Sequence, residues 1–160
     1  MKRRTTISAS VIVIGGLALG LAAGCASKGM GKMGSGDVVA DRQRLMKLNG
    51  ASWADIQAKA KAGNIEAIAV NAETLALNAE HIPALFPEGS LTEKSKAKPE
   101  VWQKWAEFER DAKNMQTEAE KLRDASRAKN AQLTQDIVKE FGKNACGTCH
   151  TPFRQPPPKS

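Results

Sequence analysis

The sequence predicts an all-α protein and, within that class, an antiparallel four-helix bundle. Ala, Lys, Glu, Gln and Leu, which favour helices, dominate from Asp37 onward, and the 160 residues contain no tyrosine. No stretch alternates between apolar and polar residues as a half-buried strand does. Apolar residues instead recur every three or four positions in four segments. Because none of these helices can bury its apolar stripe alone, we expect them to pack together.

The first 25 residues predict an export signal. The chain begins MKRR and continues with an apolar run at 11–24, which is shorter than a membrane span and ends in small residues. Cys25 follows in "LAAGC", which resembles the lipobox at which bacterial lipoproteins are cleaved and lipidated. Three outcomes stay open: lipidation and membrane anchoring through Cys25, ordinary cleavage that releases a soluble protein, or an uncleaved anchor.

The charge of the chain gives no support for nucleic-acid binding. There are 24 basic and 17 acidic residues, and three of the basic ones, in MKRR, belong to the predicted signal. The remaining 21 against 17 is a mild excess of mixed sign, accompanied by few aromatic residues. A nucleic-acid interface needs a basic patch or stripe, so we predict no nucleic-acid partner.

A flexible tether at 26–36, rich in Gly and small polar residues, precedes the first two predicted helices. The first helix covers 37–62 and ends at Gly63 and Asn64, a typical C-terminal signal. Its apolar positions are Val38, Leu45, Met46, Leu48, Trp53 and Ile56. The second helix ends at Pro83. Its apolar stripe consists of Ile65, Ile68, Ala72, Leu75, Ala79 and Ile82.

The third helix follows a long loop, "LFPEGSLTEKSKAKP" at 85–99. Pro99 is predicted as its first residue, and Glu100 suits the positive end of the helix dipole. Its apolar stripe consists of Trp105, Phe108, Ala112, Met115, Ala119 and Leu122. The fourth helix covers 128–153 and ends before the Pro-rich tail at 156–160. Its apolar positions are Leu133, Ile137, Val138, Phe141 and Ala145.

The pentad "CGTCH" at 146–150 holds most of the ligand-forming side chains of the chain. A closed zinc site needs a fourth ligand, and His81 is the only other histidine in the sequence. A redox Cys-x-x-Cys pair needs an alternating α/β setting, which this chain lacks. Covalent haem attachment uses two thiols, which bond to the porphyrin vinyl groups, and an adjacent histidine, which binds iron.

The helical spacing of the pentad suits this third chemistry. Cys146, Cys149 and His150 lie at i, i+3 and i+4, so their side chains project from one face and can meet one macrocycle. Haem c is attached outside the bacterial cytoplasm, which agrees with the export signal and predicts a periplasmic protein. We therefore predict one covalent haem c with His150 as the proximal iron ligand. The remaining alternative is a structural lipoprotein without haem.

The motif "CGTCHTPFR" resembles the signature of cytochrome c′, a class II c-type cytochrome in which the pentad lies near the C-terminus. Further similar stretches are "RQRLMKLNG" at 42–50, "LFPEGS" at 85–90 and "KPEVW" at 98–102. Together they cover about 37–155. The resemblance implies an antiparallel four-helix bundle that holds one haem and often pairs as a homodimer through its first two helices.

The resemblance also implies which side chains surround the haem. It places Met46 over the distal face and Arg42 near a propionate, with Gln43 as a further hydrogen-bond donor and Arg154 near the proximal imidazole. An apolar plug at Met46 leaves iron open to nitric oxide or carbon monoxide, whereas coordination by its thioether blocks that site and favours electron transfer. Both interpretations stay open. We expect a carrier or binding protein and not an enzyme, with a redox partner protein that the sequence does not identify.

The remaining aromatic residues and His81 receive ordinary structural roles. We expect Trp53, Trp102 and Trp105 to pack in the core or against a loop. The residues Phe108, Met115 and Phe141 are predicted to line the haem pocket. His81 falls off the apolar stripe of its helix and is predicted to lie at the surface.

Overall fold

A computed structural model describes residues 36–156. The predicted signal, Cys25 and almost all of the tether lie outside the described residues, as does most of the Pro-rich tail. The helices are α1 (Val38–Lys61), α2 (Ile68–His81), α3 (Glu100–Gln103), α4 (Trp105–Arg127), α5 (Ala131–Phe141) and α6 (Thr148–Phe153). A 3₁₀ turn, Pro83–Leu85, follows α2, and a π-helical turn, Gly142–Gly147, joins α5 to α6.

These elements form the predicted antiparallel four-helix bundle. Its helices are α1, α2, α4 and the combined α5–α6 segment. Between residues 36 and 156 there is no β-strand, only one isolated antiparallel bridge between Ala97 and Arg154. In the same part of the chain, no helix is long and apolar enough to cross a membrane.

Helix α1 has the predicted bounds, and Leu45, Met46, Trp53 and Ile56 of its predicted apolar positions pack in or against the core. Asp37 caps it, since its Oδ1 accepts from the backbone N–H groups of Val39 at 2.9 Å and Ala40 at 3.1 Å. The helix ends before Gly63, whose φ of +72° suits glycine. Leu48, predicted to face the core, is 58% exposed. The buried residues are Val39, Arg42, Asn49, Ile56 and Ala60. The prediction for Leu48 was wrong, and the core face of α1 also includes two polar side chains, Arg42 and Asn49.

Helices α2 and α4 pack most extensively against each other and bury the predicted stripes. Ile65 and Trp105, at the start of each stripe, are only half-buried. Ser126, buried near the end of α4, donates through its Oγ to the carbonyl oxygen of Ile65 at 2.6 Å. This hydrogen bond fixes the α1–α2 turn against α4.

The third helix is interrupted where the sequence predicts continuity. Lys104, with φ −124° and ψ 46°, separates α3 from α4, and Pro99 lies just outside α3 as its cap residue. The indole Nε1 of Trp102 donates to the carbonyl oxygens of Phe86 at 3.0 Å and Pro87 at 3.1 Å. These bonds hold α3 against the long loop, so Trp102 packs against a loop as predicted.

Helix α5 begins three residues later than predicted. Lys129 has a positive φ of 57°, and Asn130 caps the helix by accepting from the N–H of Leu133 at 3.1 Å. Leu133, predicted to be apolar core, is 47% exposed, while Thr134 beside it is fully buried. The start of α5 therefore has a different core face from the one that its apolar residues suggest.

Candidate functional site

The bundle encloses a cavity of about 560 Å³, a size typical of sites for small molecules and cofactors. Its deep wall is apolar and includes Leu75, Ile82, Val101, Phe108, Met115 and Ala145. Exposed polar side chains, among them Lys47 and Lys96, stand at its mouth. The cavity therefore suits a flat apolar group with a polar edge.

The three residues of the pentad meet in this cavity. Cys146 lies in the π-helical turn, whereas Cys149 and His150 lie in the first turn of α6, and all three line the cavity. Both cysteines are half-buried free thiols. Phe153, one turn further along, is buried and lines the same wall.

The surroundings hold these groups in their neutral forms. Burial raises the pKa of Cys146. Burial also raises the pKa of Cys149, to about 12, with a smaller contribution from the negative charge of Asp111. His150 is exposed as a residue, yet withdrawal from water lowers its pKa, and the positive charge of Arg154 lowers it further. Near neutral pH the site thus offers two thiols and an imidazole with a free lone pair.

Helix α1 supplies another wall of the cavity. Arg42, Met46, Asn49 and Trp53 follow one another at helical spacing, and all four line the cavity. Met46 is half-buried and lines the same cavity as the pentad. Trp53 stacks on Phe141 with ring centroids 5.0 Å apart.

Arg42 is only 4% exposed and is held by the long loop. Its Nη2 donates to the Oγ of Ser90 at 2.7 Å and to the Ser90 carbonyl oxygen at 3.4 Å, and its Nη1 donates to the Oγ of Ser95 at 3.2 Å. The guanidinium carbon lies 4.2 Å from the ring centroid of Phe86. Its Nε is buried and has no hydrogen-bond partner within 36–156. Burial lowers the pKa of Arg42, and the charge of Asp37 opposes this shift.

Gln43 and Arg154 both line the mouth of the cavity. The Nε2 of Gln43 donates to the carbonyl oxygen of Lys94 at 2.9 Å. Arg154 is exposed at the end of α6, where its backbone N–H donates to the carbonyl oxygen of His150 at 3.3 Å. The structure thus brings all seven sequence-predicted site residues to one cavity.

Other sequence predictions had mixed outcomes. Phe108 and Met115 line the cavity as predicted, whereas Phe141 lies behind Trp53 and does not. Trp105 packs against Phe108, with ring centroids 5.5 Å apart. His81 is exposed at the end of α2, as predicted.

The sequence analysis missed Ser90, Ser95 and Asn49. The two serines hold Arg42 from positions 48 and 53 residues away, a separation that no helical spacing reveals. The similar stretch "LFPEGS" contained Ser90 and was the available signal. Asn49 belongs to the similar stretch "RQRLMKLNG" and lies three residues after Met46, and these were its available signals.

The residues present fit a covalent haem c. Two free thiols and a neutral imidazole share one apolar cavity, which is what thioether attachment and iron ligation require. The unpartnered Nε of Arg42 and the exposed cations at the mouth leave positive charge where propionates need it.

Comparison with known proteins agrees with this donor set. The family model for cytochrome c′ matches residues 37–154. The chain is 37% identical over 76 residues to cytochrome c-554 of Cereibacter sphaeroides, a match covering 46% of this chain and 48% of that protein. It is 33% identical over 118 residues to cytochrome c′ of Pararhodospirillum photometricum, a match covering 71% of this chain and 93% of that protein. The match thus spans about half the length of the cytochrome c-554.

Solved structures show the same fold. Cytochrome c′ from Rubrivivax gelatinosus is similar with a TM-score of 0.66 at 24% identity, covering 75% of this chain and 96% of that chain. A cytochrome c′ variant from Alcaligenes xylosoxidans, solved as its nitric oxide complex, gives a TM-score of 0.68 at 23% identity. The match covers 76% of this chain and 96% of that chain.

Cytochrome c′ proteins carry one covalently attached haem c with its iron. The family model covers the whole bundle and the pentad. This chain belongs to the cytochrome c′ family and is a haem c protein.

Proposed function

We propose that this protein binds small gases such as nitric oxide and carbon monoxide reversibly at its haem and takes part in periplasmic electron transfer. Cys146 and Cys149 form the thioether links, and His150 is the proximal ligand. The observation that carries the proposal is that these three side chains, from the π-helical turn and α6, and Met46, from α1, line one apolar cavity. The haem iron supplies the redox couple and the ligand-binding position.

In this proposal, Met46 packs over the distal face of the haem. Its side chain is half-buried in the cavity wall, and methionine is flexible enough to yield to a small ligand. The apolar lining admits neutral diatomic molecules and disfavours ions, because burying an unpaired charge is costly. The nitric oxide complex solved for the Alcaligenes xylosoxidans protein supports the same use here.

A second candidate has Met46 as the sixth ligand of a low-spin electron carrier. The same observation favours it, since a residue with a soft thioether lines the same cavity as His150. Coordination would block the gas site and raise the reduction potential. Pure electron transfer would then replace gas binding.

The spin state of the ferric protein separates these two functions. We expect a high-spin spectrum for the parent, spectral changes on adding nitric oxide or carbon monoxide to the ferrous form, and a high-spin spectrum for Met46→Leu. Met115→Leu is the matched control, because Met115 is a second methionine that lines the cavity. A low-spin parent that becomes high-spin in Met46→Leu but not in Met115→Leu would establish the second candidate.

The covalent links have their own test. Mass spectrometry of matured protein should show one haem adduct under denaturing conditions, and replacing both Cys146 and Cys149 with serine should remove it. An unmodified mass for the matured parent protein would contradict the attachment.

We assign the propionate edge of the haem to the mouth of the cavity. Arg42 offers its free Nε there, and Gln43 and Arg154 lie close by.

We also propose a homodimer formed through α1 and α2. Large apolar residues are exposed on both helices: Leu48 at 58%, Val70 at 72% and Leu77 at 53%. A solved cytochrome c′ of similar fold shows ligand-controlled dimer dissociation. Sedimentation analysis should give a dimer for the parent and a monomer for Val70→Lys with Leu77→Lys. A monomeric parent at high concentration would refute the dimer.

Cytochrome c′ proteins are periplasmic, and the predicted export signal agrees with that location. Lipidation of Cys25 stays a prediction, because Cys25 lies outside the described residues. Labelling with a fatty acid, compared between the parent and Cys25→Ser, would test it.

A further inference from the structure

Asn49 is a buried polar residue in the wall of the haem cavity. It is 8% exposed and lies one helical turn after Met46 on the same face of α1. Among the described lining residues, the buried side chains that carry polar atoms are Arg42 and Asn49. Arg42 is largely engaged by Ser90 and Ser95, whereas Asn49 keeps both amide hydrogens free.

A neighbouring asparagine fixes how the Asn49 amide is oriented. The Nδ2 of Asn78, on α2, donates to the Oδ1 of Asn49 at 2.8 Å. The carboxamide is planar, so its NH₂ group points away from that bond. The Nδ2 of Asn49 is buried and has no hydrogen-bond partner within residues 36–156. A buried donor left without an acceptor destabilises a fold, so its presence in a cavity wall points to an acceptor that arrives with the ligand.

We propose that the Nδ2 of Asn49 donates a hydrogen bond to the outer atom of a diatomic ligand bound on the Met46 side of the haem. The inference rests on the proposed gas binding and adds a specificity-determining residue to it. A distal donor stabilises ligands that carry negative charge on the outer atom and so selects among gases that a purely apolar pocket treats alike. Asn78 acts through Asn49 by holding its amide in place.

The test compares Asn49→Leu with the parent holoprotein. Removing one neutral hydrogen bond should weaken binding of carbon monoxide to the ferrous protein about 2- to 10-fold. It should also raise the C–O stretching frequency of the complex, since a donor at the oxygen increases back-donation from iron and weakens the C–O bond. Asn49→Ala, which adds no bulk, should show the same rise.

Asn78→Ala tests the orientation of the amide, because it removes the α1–α2 hydrogen bond that fixes the carboxamide but keeps the Asn49 donor. Its C–O frequency should lie between those of the parent and of Asn49→Leu. Binding of carbon monoxide with the same frequency and affinity in the parent, Asn49→Leu and Asn49→Ala would overturn this inference alone. Absence of any gas complex in the parent would overturn the proposed gas binding and this inference with it.

Discussion

Replacing Arg42 with methionine should cost the protein much more stability than replacing its neighbour Arg44. Arg42 is 4% exposed and makes two hydrogen bonds to serine hydroxyls, at 2.7 and 3.2 Å. Methionine keeps the apolar stem that packs near Phe86 but removes the charge and every donor. The variant therefore tests the polar contacts with little change in volume.

The magnitude follows from these contacts. A hydrogen bond to a charged group contributes about 1.5–3 kcal/mol, and the contact over the Phe86 ring about 0.5–2 kcal/mol. The buried cation itself carries a desolvation penalty, which its removal relieves and which cancels part of the loss. We expect the free energy of unfolding to fall by about 2–4 kcal/mol.

Guanidinium denaturation of the holoprotein, followed by far-UV circular dichroism, measures this change. Arg44→Met is the control: its side chain is 58% exposed and pairs with Asp41 one turn away, so the loss should stay below about 0.5 kcal/mol. A double-mutant cycle with Ser95→Ala should give a coupling energy of about 1 kcal/mol or more. If Arg42→Met lost no more stability than Arg44→Met, the loop would not depend on the buried guanidinium.

Three further substitutions test contacts within the bundle by the same denaturation measurement. Phe108→Ala should cost about 3–5 kcal/mol, because Phe108 is 3% exposed and its ring meets three other aromatic rings. Ser126→Ala should cost about 1–3 kcal/mol, because it leaves the carbonyl oxygen of Ile65 without this donor. Asn114→Ala should cost about 1 kcal/mol, because Nδ2 of Asn114 donates to the carbonyl oxygen of Asn144 at 2.6 Å.

Gln116→Ala serves as a control for these variants, since its side chain bonds only to other side chains on α4, Lys113 and Glu120. We expect a change within about 0.5 kcal/mol. If Ser126→Ala or Asn114→Ala lost no more stability than Gln116→Ala, the carbonyl oxygens of Ile65 and Asn144 would be accepting hydrogen bonds from water in the variants.

Helices α2 and α4 were predictable because their core faces are apolar, with Ser126 near the end of α4 as the exception. Ala72, Leu75 and Ala79 on α2 face the buried stripe of α4, so hydrophobic periodicity and burial coincide. Helix α1 broke this rule. Its core face includes Arg42 and Asn49, which any hydropathy pattern assigns to the surface, while Leu48 is exposed. Both polar residues lie in the wall of the cavity, a place where a sequence is expected to depart from the pattern of an apolar core.

The candidate site was predictable where its chemistry is local in sequence. The spacing of Cys146, Cys149 and His150 fits within one helical turn, so it could be recognised without any knowledge of the fold. The partners of Arg42 could not be recognised in this way, because Ser90 and Ser95 reach it only after a loop has returned across the bundle. The break at Lys104 was likewise hidden, since no glycine or proline occurs there.

The π-helical turn corresponds to a sequence pattern that the sequence analysis did not interpret, a repeated spacing of four residues. The cavity-facing and buried positions Phe141, Ala145, Cys149 and Phe153 are each four residues apart. On a regular α-helix each step of four advances by about 40°, so three steps would spread these side chains over about 120°. A π turn takes more residues per turn, and the turn at 142–147 removes part of this drift. An unbroken run of four-residue steps is thus the pattern that indicates it.

Inserting one alanine after Lys143, an exposed residue of this turn, tests whether the turn aims the pentad. Each residue of a regular α-helix advances the chain by about 100°, so an added residue that the turn does not absorb rotates Cys149 and His150 by about 100° relative to α5. The imidazole then leaves the cavity, so we expect the parent ferric absorption spectrum to be lost while far-UV circular dichroism stays helical. Lys143→Ala, which keeps the residue count, should retain the parent spectrum. An insertion variant with an unchanged spectrum would show that the turn absorbs the extra residue and that the register between α5 and α6 does not position the ligand.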